Sequence, residues 1–270
     1  MMKLLVRLLL LIGVAQTASA ANVDTLAIFS QKMKRAYKCV VITPDSYKSG
    51  TQRYPVVYLL HGASGDFTNW VTKVPAIKEL ADAYQLMIVC PDGTSSSWYF
   101  DSPIDSTMRF ETYVAKEIPA YIDQHYQTLP EPAHRAITGL SMGGHGALYL
   151  ATRHPDVFGA AGSISGGVDI RPFPKNWDIA KRLGPPGPDG ANWTDYTVIK
   201  QVEKLKPGTL SLIIDCGVKD FFIDVNRELH KKLLVLGIDH DYTERPGQHD
   251  WPYWSNSIRY QLLYFHHFFQ

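Results

Sequence analysis

Between Arg135 and Ala151 the chain reads Arg-Ala-Ile-Thr-Gly-Leu-Ser-Met-Gly-Gly-His-Gly-Ala-Leu-Tyr-Leu-Ala. A short apolar run ends at Thr138, Gly139-Leu140-Ser141-Met142-Gly143 follows, and small and apolar residues continue from there. This order predicts strand, abrupt turn, helix. It fits the G-x-S-x-G nucleophile elbow, in which a strained turn lifts the serine Oγ above the sheet. Gly139 and Gly143 flank the serine where strand and helix come too close for a Cβ. Gly144, Gly146 and Ala147 keep the helix thin enough to lie against its neighbours. The helix N-terminus points free N–H groups at the place where negative charge would develop. The competing reading is a glycine-rich strand-to-helix turn with a surface serine, and the flanking strand and helix patterns disfavour it.

A chain of 270 residues with 45% hydrophobic and 20% charged residues is enough for one large domain with a sizeable core. Residues 1–20 are set apart from it. Lys3 and Arg7 precede an apolar run from Leu8 to Val14, and Ala18-Ser19-Ala20 is a small-residue cleavage signal. The expectation is a cleavable signal peptide and an exported single domain over residues 21–270, secreted or periplasmic. The apolar run is short for a bilayer span. Losing Lys3 and Arg7 turns the formal charge from +1 to −1. A near-neutral chain gives no reason to expect nucleic acid or an anionic membrane surface as partner. Cys39, Cys90 and Cys216 all fall in or at the end of strand-like runs, so buried free thiols are expected. Their spacing does not resemble a zinc site.

Apolar strands alternate with helical patterns along the chain. Residues 23 to 30, 36 to 42, 55 to 60, 86 to 90, 159 to 165, 210 to 215 and 240 to 243 read as strands, together with the strand before Ser141. Helices are expected at 74 to 84, from Ser106 as N-cap through Tyr121 with a kink at Pro119, after Ser141, at 222 to 236 with Gly237 as its stop, and at 254 to 269. The fold class is therefore α/β: a doubly wound, mostly parallel sheet with an antiparallel N-terminal edge. Residues 166 to 196, rich in Pro and Gly and carrying Trp177 and Trp193, interrupt the rhythm. They read either as a cap over the pocket or as an exposed loop anchored by its tryptophans.

A serine hydroxyl needs a base, and the base needs a partner that fixes its tautomer. In this fold the order is Ser, Asp/Glu, His, and reacting groups gather beyond the carboxyl ends of the strands. His145 and His154 come before any possible acid, His230 lies on a helix, His240 begins a strand, and His266 and His267 lie on the terminal helix. His249 alone is on a loop after the last strand. Asp220, a short turn beyond the strand that contains Asp215, is the expected acid, with Asp224 the runner-up. Asp220 also fits an N-cap. The oxyanion donors are expected to be the N–H groups of Met142 and Ala63, and His61 reads as a structural hydrogen-bonder.

Tyr54-Pro-Val-Val-Tyr-Leu-Leu-His-Gly62, Gly139-Leu-Ser-Met-Gly-Gly144, Asp215-Cys-Gly-Val-Lys-Asp220 and Gly247-Gln-His-Asp-Trp251 resemble the esterase D family of α/β-hydrolases. That family includes S-formylglutathione hydrolases, tributyrin esterases, feruloyl and acetyl-xylan esterase domains and mycolyltransferases. The resemblance runs from about residue 23 to 268. Asp92-Gly-Thr-Ser-Ser-Ser-Trp98-Tyr99, with Asp101-Ser102, is especially similar to the tributyrin- and feruloyl-esterase-like branch. The resemblance implies a Ser141–His249–Asp220 triad, ester substrates and no cofactor. Export argues against the cytosolic role of S-formylglutathione hydrolases.

The resulting expectation is a secreted serine carboxylesterase acting on short-chain or carbohydrate-linked acyl esters, acetyl or feruloyl. Trp98, Tyr99, Trp177 and Trp193 either stack on a sugar or aromatic acyl group or pack the cap. Two other readings remain: an acyltransferase using the same triad, and a non-catalytic carbohydrate-binding relative, which the intact triad disfavours.

Overall fold

The near-continuous apolar runs become the middle of one sheet. The computed structural model describes residues 21–187 and 191–270; the expected signal peptide, 1–20, lies outside the described residues. Among these residues the strands are β1 (Asn22–Ser30), β2 (Arg35–Thr43), β3 (Val56–Leu60), β4 (Met87–Pro91), β5 (Arg135–Gly139), β6 (Ala160–Ile164), β7 (Ser211–Gly217) and β8 (Asp241–Arg245). They lie in the order β1-β2-β4-β3-β5-β6-β7-β8. β2 is antiparallel to both β1 and β4, and every pairing from β4 to β8 is parallel. The antiparallel edge is thus the predicted N-terminal one.

Strand periodicity divides the core between the two faces. Val56, Tyr58 and Leu60 of β3 join Ile118, Met142 and Leu148 on one face. Val57 and Leu59 join Ile77, Ile258 and Leu262 on the other. All five residues of β3 are buried, which is why the strand reads as continuously apolar rather than alternating. Cys39, Cys90 and Cys216 are buried free thiols. No helix among the described residues is long and apolar enough to cross a membrane.

The helix expected from Ser106 begins at Phe110 instead. Ser106 is not its cap. The carboxylate of Asp101 reaches the first turn from outside, accepting the Thr112 N–H at 3.0 Å and its hydroxyl at 2.5 Å. Pro119 is accommodated without a break: a π-helical segment, Tyr113–Glu117, gives way to the α-helix Ile118–His125 just before the proline, so the change of ladder falls where its N–H is missing. The last helix starts earlier than expected, at Trp251, because the Asp250 side chain accepts the Tyr253 N–H at 3.1 Å and caps it. Gly237 ends the helix Ile223–Val235 as predicted, at φ 64°.

The topology decides where chemistry can occur. β3 has β4 on one side and β5 on the other. Their following loops therefore diverge and open a crevice at the carboxyl edge of the sheet. Leu60 and Gly139 are register partners, which brings the loop at His61 level with Ser141.

Candidate active site

Ser141 lies two residues beyond β5 and sits at φ 55°, ψ −116°. A non-glycine residue pays about 1–3 kcal/mol for such a conformation. Its surroundings enforce it. A Cβ on Gly139 would lie 2.6 Å from the Leu60 carbonyl oxygen and 2.8 Å from the Gly143 backbone. A Cβ on Gly143 would lie 2.6 Å from the carbonyl oxygens of both Leu60 and His61. Strand β3, strand β5 and the helix Met142–Arg153 therefore touch backbone to backbone around the serine.

His249 lies four residues beyond β8, and Asp220 three residues beyond β7. The structure brings both to Ser141. His249 Nε2 is 2.9 Å from Ser141 Oγ, and His249 Nδ1 is 2.8 Å from Asp220 Oδ2. An ionised carboxylate only accepts, so Nδ1–H donates to Asp220 and Nε2 presents its lone pair to the serine O–H. The second Asp220 oxygen accepts the Phe222 N–H at 2.8 Å. Asp220 thus combines both roles open to it in the sequence, orienting the imidazole and capping the turn before the helix Ile223–Val235. Asp224 points away; it is 88% exposed and pairs with Arg227.

The structure also locates the two N–H groups expected to face an oxyanion. Gly62 packs on the nucleophile turn: a Cβ there would sit 3.3 Å from Ser141 Cβ. Ala63 follows it into the same cleft. Among the described residues neither the Ala63 nor the Met142 N–H has a protein acceptor, whereas the Gly143 N–H bonds to Leu140 O and the Gly65 N–H to Gly62 O. His61 braces this loop. Its Nδ1–H donates to Gly62 O at 2.8 Å and its Nε2 accepts the Gly93 N–H at 2.8 Å. With both nitrogens so engaged the ring is neutral, and its 3.6 Å approach to Asp92 is not an ion pair.

The remaining histidines after Ser141 serve elsewhere. His145 is fully buried, with Nε2 donating to Tyr196 O at 3.0 Å. Burial pushes its pKa down to about 3, against the opposing effect of that hydrogen bond. His154 pairs with Glu111, His230 with His240, and His266 stacks on Tyr84.

The four aromatic residues singled out in the sequence separate. Trp177 lines the cleft beside Ser141. Trp98, Tyr99 and Trp193 are buried and do not line it. Trp98 donates its indole N–H to Trp177 O at 3.2 Å, Tyr99 its hydroxyl to His61 O at 3.0 Å, and Trp193 its N–H to Gly184 O at 3.0 Å. For these three the packing reading replaces the substrate-stacking one, since each polar handle is already bonded to backbone. The 166 to 196 segment is likewise tied down by Ser102 Oγ donating to Arg182 O at 2.6 Å.

The cleft measures about 420 Å³ and also contains Asn69, Phe221, Trp251 and Trp254, which sequence reasoning missed. A signal existed: Phe221 directly follows Asp220, and Trp251 and Trp254 follow His249 within five positions. The His249 ring is enclosed by Phe221 at 4.2 Å, Trp254 at 5.0 Å and Phe222 at 5.5 Å between centroids. The arrangement can activate one hydroxyl and stabilise one oxyanion in a cleft lined by aromatic rings and polar groups, with no acidic or basic side chain apart from His249 among its described lining residues.

Comparison with known proteins follows the same line. Residues 30–265 match the family model described as putative esterase. An esterase of Mycobacterium tuberculosis (strain CDC 1551 / Oshkosh) is 27% identical over 235 residues, covering 77% of this chain and 51% of that protein. The chain thus spans about half the length of this relative. A diacylglycerol acyltransferase/mycolyltransferase of Mycobacterium gordonae is 30% identical, covering 92% of this chain and 83% of that one. The solved structure of a ferulic acid esterase superposes with a TM-score of 0.80 at 28% identity, covering 93% of this chain and 99% of the other. The fold is accordingly that of the α/β-hydrolase esterases.

Proposed function

Since the chain belongs to the esterase family, we propose that it is a serine carboxylesterase working through Ser141, His249 and Asp220. The observation that carries this reading is the unbroken relay from Ser141 Oγ through His249 to Asp220, at 2.9 and 2.8 Å. His249 Nε2 takes the serine proton as Oγ attacks the ester carbonyl. The carbonyl oxygen becomes an oxyanion facing the N–H groups of Ala63 and Met142, each such donor being worth about 3 kcal/mol of transition-state stabilisation. The imidazolium, held by Asp220, then returns the proton to the leaving alcohol. Water enters by the same route and releases the acid.

The proposed substrates are uncharged acyl esters, acetyl or hydroxycinnamoyl, borne on carbohydrate. The aromatic, uncharged cleft supports this, as does the likeness to a ferulic acid esterase. Residues 1–20 are proposed to direct export, which fractionation of cells and medium tests. Hydrolysis of p-nitrophenyl esters from acetate to octanoate, by the wild type and by Ser141→Ala, tests the chemistry. Turnover that disappears in the variant supports it; equal turnover in both refutes it.

The likeness to an acyltransferase/mycolyltransferase favours one second reading, transfer of the acyl group to a sugar or lipid hydroxyl. Product analysis with and without a sugar acceptor distinguishes the two.

A further inference from the structure

Two pairs of bulky residues near the cleft adopt left-handed backbone: Trp98 and Tyr99 at φ 53° and 59°, Trp177 and Asp178 at φ 49° and 56°. Side chains of this size rarely do so unless their surroundings hold them there. The pairs are linked by the Trp98 indole N–H, which donates to the Trp177 carbonyl. The consequence is asymmetric. Trp98 is buried, whereas Trp177 stays partly exposed and faces into the cleft with Ser141. There its indole stacks on Phe221, with centroids 5.8 Å apart and planes at 20°. Phe221 is itself 53% exposed, and its ring lies 4.2 Å from that of His249. Left-handed backbone at Trp177 thus accompanies two large aromatic rings, Trp177 and Phe221, that stay in contact with solvent beside Ser141.

Their position says what they meet. His249 Nε2 takes the proton from Ser141 and hands it to the departing oxygen, so the leaving alcohol departs along the His249 side of the cleft. A wall in contact with the His249 ring borders that path. Among its described lining residues the cleft has no acidic or basic side chain apart from His249, and Ser64 and Asn69 supply hydrogen-bonding groups.

We infer that Trp177 and Phe221 form the platform for the alcohol half of the ester, and that this alcohol is an uncharged sugar ring. The C–H face of the ring stacks on the indole and phenyl, and its hydroxyls meet Ser64 and Asn69. This rests on the serine-esterase reading above. The acyl half is not held by the platform, so once the alcohol has left, Trp177 has no part in deacylation.

The test keeps the acyl group constant as acetate and varies the alcohol: methanol, phenol and xylobiose. Trp177→Ala should lower kcat/KM for acetylated xylobiose about tenfold more than for methyl acetate, the size of one lost ring contact. Trp177→Phe should recover most of that difference. The acyl chain-length profile on methyl esters and the rate of deacylation should not follow the substitution. Phe221→Leu, which also removes a ring packed on His249, should lower all three rates but that for acetylated xylobiose most. Equal losses on all three alcohols, a loss confined to phenyl acetate, or a changed acyl-length profile would each overturn the assignment. Methyl acetate hydrolysis surviving in Ser141→Ala would instead refute the esterase reading itself, whatever the Trp177 variants do.

Discussion

The backbone N–H of Lys219 donates to the carbonyl of Gly247 at 2.9 Å. The residue before Asp220 is thereby fastened to the loop that carries His249. Val218 N–H bonding to Arg245 O extends the same lacing by one rung. Gly217 makes the approach possible, since a Cβ there would lie 2.7 Å from the Gly247 backbone. Asp220 and His249 are therefore positioned relative to each other by main chain, before their side chains meet.

Replacing the acid should leave this framework intact while removing its chemistry. Asp220→Asn keeps an acceptor for the Phe222 N–H but no longer selects the Nδ1–H tautomer of His249. kcat on a p-nitrophenyl ester is expected to fall roughly 10⁴-fold, the size found for the same replacement in another triad, with thermal stability little changed. Steady-state kinetics together with a melting curve check both halves of the expectation.

Gly143→Ala should act on stability. Its methyl group would press on the carbonyls of Leu60 and His61, which are backbone and cannot rotate away. Overpacking of this kind costs about 1–3 kcal/mol or more, equivalent to a Tm roughly 2–12 °C lower for a chain of this size. Calorimetry reads it directly; an unchanged Tm would mean that strand and helix are not so tightly joined.

His61→Leu tests the brace beneath the oxyanion loop. It removes the acceptor of the Gly93 N–H and the donor to Gly62 O, leaving buried groups unpaired at about 1–3 kcal/mol each. kcat should fall about tenfold or more as Ala63 loses its placement, with KM changing less. A KM effect alone would place His61 in substrate binding instead.

His145 supplies a pH dependence with a definite sign. Its folded pKa is pushed down to about 3 by burial, against an ordinary value of 6.5. The unfolded chain therefore binds the extra proton first as pH falls below 6.5, and the folded state loses stability from there towards pH 3. In His145→Phe the absolute stability is expected to drop, because Tyr196 O loses its donor. Its decline between pH 6.5 and 4 should nevertheless be shallower than in the wild type. Urea unfolding at several pH values measures the two slopes.

The architecture was legible because burial writes itself into composition. β3 and β4 lie within the sheet with both faces covered, so they appear as unbroken apolar runs. The elbow was legible because backbone contact admits only glycine at 139 and 143. Chain order and strand ends then brought Asp220 and His249 forward, and the structure places both at the serine. What the sequence could not show depended on contacts between distant segments. Asp101, not Ser106, caps the helix at Phe110 across a gap in sequence. Trp98 and Trp177 are equally aromatic, and only the folded packing separates the buried one from the one that faces the cleft. Phe221, Trp251 and Trp254 lie close to Asp220 and His249 in the sequence, but only the folded loops gather them into one cleft with Ser141.

The most direct measurement is covalent labelling with a small alkyl fluorophosphonate, followed by peptide mass spectrometry. One label per chain is expected, on Ser141, with loss of ester hydrolysis in proportion to labelling, and no label on Ser141→Ala. A label on another residue, or undiminished hydrolysis by fully labelled protein, would contradict it.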